Sequence, residues 1–183
     1  MKKYLRDYSY LFILAGIIVG LDQWTKSLIR MNLEMGSVWS PWEWLSPYAR
    51  IVHWYNTGVA FGLFQGQGMF FAFLALLVVG TIIYYFPKVD VLDWPLRLAM
   101  VLQLGGAVGN LVDRLMIGHV TDFISVGNFP VFNIADASIS IGVGVLVLGI
   151  WFQEVRDRKN KTLLATQNPI IENKLSNKGC ECE

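Results

Sequence analysis

Long apolar stretches alternate with shorter polar ones along the chain, and their lengths predict membrane-spanning helices. A bilayer core needs about 20 mainly apolar residues per helix. Four stretches meet this requirement, at about 8–29, 69–86, 96–117 and 134–152. The first follows several cations, as a secretory signal does, but no small-residue cleavage site comes after it. We therefore expect four uncleaved spans.

The segments between these predicted spans differ in length and composition. Residues 87–95 form a short connection, whereas 30–68 and 118–133 are long and rich in Gly, Pro and aromatic residues. Residues 38–55 carry four Trp and are too polar to span, so we expect an element that lies in the membrane interface. The stretches 119–126 and 129–132 alternate enough to predict short strands.

The fold class predicted is an all-α polytopic membrane protein with four transmembrane helices and a small β-element. We interpret residues 1–152 as one four-span membrane domain. Residues 153–183 are polar and aperiodic, with the composition of a disordered cytoplasmic tail. Cys180 and Cys182 both lie in this tail and are too few for a zinc site.

The distribution of Lys and Arg predicts the orientation of the chain in the membrane. One side carries nine such residues: Lys2, Lys3, Arg6, Lys88, Arg97, Arg156, Arg158, Lys159 and Lys161. The other side carries four: Lys26, Arg30, Arg50 and Arg114. We therefore expect both termini in the cytoplasm. The net charge of +1 argues against a nucleic-acid partner, which requires a basic face.

Unusual polar residues gather near the outer ends of these spans. Asp22 and Lys26 are four residues apart and share one helix face. Gly106, Asn110 and Arg114 form a similar stripe on the third span. The remaining members of the set are Asn56, Asp113, Asp122, Asn133 and Asp136. Ionisable groups at membrane depth are costly, so the whole set requires an explanation.

Structural roles account for individual members of the set. Asn133 could be the N-cap of the fourth helix, with Asp136 in its first turn facing the positive end of the dipole. Asp22 and Lys26 could form a simple helical ion pair. These roles leave unexplained why so many carboxylates and amides lie on one side of a small protein.

Glycine and histidine positions favour packing over chemistry. The pairs Gly16–Gly20 and Gly105–Gly109 have the small-xxx-small spacing of close helix contacts. His53 and His119 have no second ligand at metal-binding spacing, so we predict no metal and no cofactor.

Two carboxylates that face each other at the outer membrane surface would explain the set by catalysis. In a low dielectric they share one proton, which provides one acid and one base for hydrolysis of an amide by water. The residues alone do not choose Asp122 and Asp136 over Asp22 and Asp113. A proton or ion relay in a transporter is a second hypothesis, and a structural membrane protein is a third.

Five motifs resemble the lipoprotein signal peptidase family, also called type II signal peptidase. They are DQWTK (22–26), NTGVAF (56–61), GGAVGNLVDR (105–114), VTDF (120–123) and FNIAD (132–136). Their order and spacing on four spans make the resemblance specific over roughly residues 8–152. It implies four transmembrane helices, a small extracytoplasmic β-element and an interfacial helix.

The resemblance also implies an activity and a site. The enzyme would be an aspartic endopeptidase of the bacterial inner membrane, cleaving diacylglyceryl-modified prolipoproteins on the amino side of the lipidated Cys near the outer surface. The catalytic pair would be Asp122 and Asp136. The residues that bind substrate or support the site would be Asp22, Lys26, Asn56, Gly106, Asn110, Asp113, Arg114 and Asn133. Its partners would be this substrate and membrane lipids. Because four spans could close such a site alone, we expect a monomer.

Overall fold

The computed structural model describes residues 2–58 and 64–167. Its helices are α1 (Lys2–Asn32), α2 (Gly68–Tyr85), α3 (Trp94–Ile117) and α4 (Ile134–Gln167). Each is long and apolar enough to cross a membrane, which confirms the prediction of four spans. The predicted limits of the first, third and fourth spans fall inside these helices, because the apolar run of a helix is shorter than the helix itself. The second span was predicted to end one residue after α2, at Phe86, which begins a short 3₁₀ helix.

Helix α3 is the most buried of the four, and α1 and α2 both pack against it. Its start is marked by Pro95 in the first turn, where a missing N–H costs nothing. It ends at Gly118, which adopts a left-handed conformation (φ 78°) that suits glycine. The shared core consists of Leu11, Ala15, Ile82, Phe86, Val101 and Leu104.

Three short strands form one antiparallel sheet in the order β1 (Val38–Trp39), β2 (Ala49–Asn56) and β3 (Val120–Val126). Strand β3 was predicted from its alternation and is confirmed. The other predicted strand, 129–132, contributes only an isolated bridge between Phe132 and Ile124. Because the pairing is antiparallel, the end of β2 lies opposite the start of β3, and a bulge between Ile51 and Trp54 shifts the register by one residue.

The Trp-rich stretch folds differently from the single interfacial element that its composition predicted. It comprises β1, a 3₁₀ helix at Glu43–Leu45 and β2. Its β2 pairs with β3, a long-range partner that composition does not report. Trp42, Trp44 and Tyr48 nevertheless remain exposed, as expected for a membrane-interface segment.

Helix α4 continues past Phe152, where its apolar run ends, to Gln167. Residues 153–167 contain no Gly or Pro, and Arg158 pairs with Glu154 one turn earlier, so the helix has no local reason to stop. One compact unit spans Met1–Val145, and the rest of α4 belongs to a second. The predicted disordered tail lies partly outside the described residues, and the boundary at 152 stays a prediction.

A buried ion pair lies at the end of the first unit where α1 begins. Arg97 Nη2 donates to Asp7 Oδ1 at 2.9 Å, and the Arg97 guanidinium lies 4.4 Å from the centre of the Phe86 ring. Arg97 was predicted only to contribute to orientation, and Asp7 was not among the predicted site residues. The one available sign was a carboxylate among the cations that precede the first span.

Candidate active site

Asp122 is the third residue of β3 and is almost fully buried, with 1% of its surface exposed. Asn56 stands diagonally across from it on β2, so both side chains point to the same face of the sheet. Asn56 Nδ2 donates to Asp122 Oδ2 at 2.9 Å. Asn133 Nδ2 donates to the other oxygen, Oδ1, at 2.7 Å. Two amides therefore hold this carboxyl group in one orientation.

Asp136 lies in the first turn of α4, where Asn133 is the N-cap. Asn133 Oδ1 accepts a hydrogen bond from the Asp136 backbone N–H at 2.9 Å. Asp136 Oδ2 accepts one in return from the Asn133 backbone N–H at 3.3 Å. This reciprocal pair is a capping box, so the capping role considered from the sequence is real. It leaves Asp136 Oδ1 facing Asn110, whose Nδ2 donates to it at 2.7 Å.

Asn133 joins the two carboxyl groups into one network. Its side-chain oxygen caps the helix that carries Asp136, while its side-chain nitrogen binds Asp122. The same nitrogen also lies 3.2 Å from Asn110 Oδ1. The side chain is fully buried, so these contacts are not exchanged with solvent. The positions of Asp122 and Asp136 are therefore coupled through one residue.

Burial, followed by the nearby charge of Asp136, raises the pKa of Asp122 from 3.8 to about 7. The hydrogen bonds from Asn56 and Asn133 act in the opposite direction but do not cancel the effect. At neutral pH, Asp122 consequently exists in comparable amounts as carboxylic acid and carboxylate. This is the pKa of a group that can deliver a proton under physiological conditions.

A second network behind the acids is centred on Lys26, which is completely buried. Lys26 Nζ lies 2.8 Å from Asp22 Oδ2 and 3.2 Å from Asp113 Oδ2. It also donates to Asn110 Oδ1 at 2.9 Å. The helical ion pair considered from the sequence is thus present, and it extends from α1 to α3. Because Lys26 and Asn133 bind the same Asn110 oxygen, Asn110 must direct its nitrogen toward Asp136.

Both carboxylates of this network also anchor backbone next to the acids. Asp22 Oδ1 accepts from the Ala135 backbone N–H at 2.9 Å, in the first turn of α4. Asp113 Oδ2 accepts from the Thr121 backbone N–H at 3.1 Å, immediately before Asp122. The network therefore holds α4 and β3 where their acids meet Asn133.

Glycines on α3 allow this close approach. A Cβ on Gly106 would lie 2.4 Å from the Ala135 carbonyl oxygen, and one on Gly109 would lie 2.7 Å from Asp22 Oδ2. One on Gly105 would lie 2.7 Å from a side-chain carbon of Ile18 in α1. Close packing was predicted for this stretch. The same prediction for Gly16 and Gly20 is wrong, because a Cβ there would meet open space.

A cavity of about 690 Å³ opens beside the acids and continues between α2 and α4 over α3. Asn56, Asn110, Arg114 and Asp136 line its polar end. Arg114 Nη2 donates to the Gly58 carbonyl at 3.2 Å, which leaves other guanidinium N–H groups for a ligand. Most of the remaining wall is apolar, including Phe71, Leu74, Ala75, Val78, Val131 and Ile141.

Two residues in these networks, Gln23 and Arg30, were not singled out from the sequence as members of the site. Gln23 Nε2 lies 3.0–3.2 Å from Asp22 Oδ2, the Gly109 carbonyl and Asp113 Oδ1. Arg30 Nη1 donates to Thr121 Oγ1 at 3.1 Å and lies 3.4 Å from Asp113 Oδ1. Arg30 was counted only among the four cations on the less basic side. Gln23 lies inside the DQWTK motif, and that position was its only signal.

Known proteins resemble this chain over most of its length. The family profile described as signal peptidase (SPase) II matches residues 14–152. A lipoprotein signal peptidase of Shouchella clausii is 40% identical over 153 residues, which cover 81% of this chain and 97% of that protein. One of Bacillus pumilus is 35% identical over 157 residues, covering 84% and 99%.

Solved structures share the fold. A structure described as a bacterial membrane enzyme superposes with a TM-score of 0.73 at 29% sequence identity. The match covers 84% of this chain and 92% of that one. A second structure with the same description gives a TM-score of 0.69 over 78% and 92%.

Proposed function

This chain belongs to the signal peptidase II family, and from this premise we propose that it is an aspartic endopeptidase that uses Asp122 and Asp136. It is a multi-pass bacterial membrane protein and a peptidase of lipoprotein processing. The observation that carries the proposal is that Asn133 hydrogen-bonds both carboxyl-bearing residues at the polar end of an apolar cavity. A transporter or a purely structural protein would leave this family membership unexplained.

The proposed mechanism requires one ionised and one protonated acid. The Asp136 carboxylate removes a proton from water, whose oxygen attacks the carbonyl carbon of the scissile amide. Asp122, protonated because of its raised pKa, gives its proton to the departing amine nitrogen as the C–N bond breaks. The products are a carboxylic acid and an amine. A proton then passes from Asp136 to Asp122 to restore the starting state.

Neighbouring donors support the tetrahedral intermediate in this proposal. Arg114 lines the cavity with N–H groups beyond the one bound to Gly58. A guanidinium so close to the acids stabilises negative charge as it develops on the substrate carbonyl oxygen. The apolar walls exclude water from the surroundings, which strengthens that interaction. We therefore assign Arg114 to the carbonyl and Asn56 and Asn110 to orientation of the acids.

The proposed substrate is a prolipoprotein whose Cys carries a diacylglyceryl group, cleaved on the amino side of that Cys. A largely apolar cavity beside the acids suits acyl chains and an apolar signal sequence. Enzyme and substrate anchored in one membrane also meet at a high effective concentration. The excess of Lys and Arg at α1 and between α2 and α3 supports cytoplasmic termini and an outward-facing site.

A gel-shift cleavage assay tests the proposal. Purified protein in detergent is incubated with a diacylglyceryl-modified prolipoprotein and, separately, with its unlipidated form. We expect wild type to cleave only the lipidated form and to keep this activity when EDTA is added to remove metal ions. Asp122→Asn and Asp136→Asn should each lose at least about 10²-fold in rate, because each removes one partner of the acid–base pair.

Asp90→Asn is the matched control, because Asp90 is an exposed aspartate in the connection between α2 and α3. It should cleave at the wild-type rate. Rapid cleavage by Asp122→Asn or Asp136→Asn would contradict the proposed pair and indicate Asp22 or Asp113 as a catalytic residue. Absence of cleavage by wild type would contradict the peptidase assignment itself.

A further inference from the structure

One polar side chain in the apolar part of the cavity takes no part in the networks described above. Gln103 lies on α3, lines the cavity and is half-buried. Among the described residues, its amide has no hydrogen-bond partner. An unpaired amide at membrane depth is unfavourable, because hydrocarbon offers it neither donors nor acceptors. A polar partner within the cavity would remove this penalty.

The position of Gln103 relative to the site follows from the spacing of residues along α3 and α4. It precedes Asn110 by seven residues, or about 10 Å along α3 at the helical rise of 1.5 Å per residue. Across the cavity floor it packs against Gly142, where a Cβ would lie 3.1 Å from Gln103 Cγ. Gly142 is six residues beyond Asp136, about 9 Å along α4. Both helices therefore set Gln103 roughly 10 Å, along their axes, from Asp136 and its partner Asn110.

The proposed substrate carries carbonyl groups at this distance from its scissile bond. Roughly eight bonds separate the scissile carbon from the nearer ester carbonyl, through the Cys side chain, the thioether and the glycerol. At the extension per bond of a stretched chain, that path spans about 9–10 Å. The ester carbonyl is an acceptor without a donor of its own, and the Gln103 amide offers two N–H donors.

We propose that Gln103 is a specificity residue that hydrogen-bonds an ester carbonyl of the diacylglyceryl group while the scissile amide lies at Asp122 and Asp136. This inference rests on the proposed function and extends it by naming a residue that recognises the lipid. The same amide could instead meet a backbone carbonyl near the end of the signal helix. A backbone carbonyl is the same in substrates that differ only in their lipid, so binding to it would not distinguish between them.

The test compares two synthetic prolipoprotein peptides in vesicles, one with ester-linked acyl chains and one with ether-linked alkyl chains of equal length. The ether lacks the carbonyl but keeps the peptide, the thioether and the chain volume. Wild type should favour the ester by about two- to tenfold in kcat/KM, which is the range expected for one neutral hydrogen bond. The difference should arise from KM, with kcat unchanged. Gln103→Met, of similar volume but without donors, should cleave both equally, at the wild-type rate for the ether.

Gln67→Met is the matched control, because Gln67 is exposed ahead of α2 and makes no side-chain capping hydrogen bond within the described part of the chain. It should retain the wild-type preference for the ester. Equal losses on both substrates in Gln103→Met would mean that Gln103 acts through packing or the peptide, and would overturn the inference. An unchanged preference in that variant would overturn it as well. If wild type cleaves neither peptide, the proposed function itself is contradicted. If wild type cleaves both peptides equally, only the proposed role of Gln103 is contradicted.

Discussion

At the scale of single residues, two chemically identical side chains occupy different environments. Asp122 is enclosed by a strand and two amide donors, with 1% of its surface exposed. Asp136 is partly exposed to the cavity, at the start of a helix whose dipole favours a negative charge. This asymmetry is what an acid–base pair requires, because the two groups must hold different protonation states at one pH.

The raised pKa of Asp122 makes the proposed reaction sensitive to pH. If Asp122 is the general acid, kcat should fall about tenfold per pH unit as pH rises well above about 7, because its proton is lost. Single-turnover cleavage in vesicles between pH 5 and 9 measures this limb. A rate that rises through pH 7 would instead make Asp122 the base.

The raised pKa of Asp122 also makes the free energy of unfolding depend on pH. Asp122 has an ordinary pKa of 3.8 when exposed and about 7 when folded, so the folded chain holds a proton that the unfolded chain releases. Its contribution to the free energy of unfolding is therefore largest below about pH 4 and is lost as pH rises through 7.

At the scale of elements, the distance between α3 and α4 positions the acid on α4. Gly106 lies against the Ala135 carbonyl, and one turn later Asn110 reaches Asp136. The first turn of α4 is also held from α1 through Asp22. The catalytic geometry therefore depends on helix contacts made by residues that do no chemistry in the proposed mechanism.

Gly106→Ala should reduce both stability and activity. The added Cβ would lie 2.4 Å from a backbone oxygen, so α3 and α4 must separate, at a cost of about 1–3 kcal/mol. Gly16→Ala is the matched control. It should be neutral or stabilising by up to about 1 kcal/mol, because its Cβ meets open space within a helix. Denaturant unfolding in detergent, together with the cleavage rate, measures both. Equal stability of the two variants would contradict this explanation.

At the scale of the whole molecule, Lys26 connects the parts that carry the site. It binds Asp22 on its own helix and Asp113 on α3, and these carboxylates anchor the starts of α4 and β3. Burying three charges is expensive, and their mutual pairing offsets this cost only while the set is complete.

Lys26→Met should destabilise the protein by about 3–5 kcal/mol, because it leaves two buried carboxylates without their cation. Adding Asp22→Asn should recover part of the loss by removing one uncompensated charge. Lys159→Met, at an exposed position of α4, should change the free energy of unfolding by less than about 0.5 kcal/mol. Thermal or denaturant unfolding in detergent compares the three. A loss under 1 kcal/mol in Lys26→Met would show that the network contributes little.

Much of this molecule was predictable because its signals are local. Apolar length alone predicted four spans, since a bilayer demands about 20 such residues regardless of what they contact. Alternation predicted β3. The motif aspartates and their amide neighbours were also predicted as a set. Long-range features were not predictable in this way: the Trp-rich stretch pairs with β3, and a Cβ on Gly16 or Gly20 would meet open space.

The sequence by itself determined the number of spans, the family and the set of polar residues near one end, because hydropathy and motifs are properties of short segments. Only the tertiary structure decided that Asn133 binds both Asp122 and the backbone of Asp136, and that Lys26 supports them from behind. It also decided that Gln103 lies in the cavity with no hydrogen-bond partner among the described residues. Such contacts join residues far apart in the chain, and their geometry follows from how the helices pack against one another.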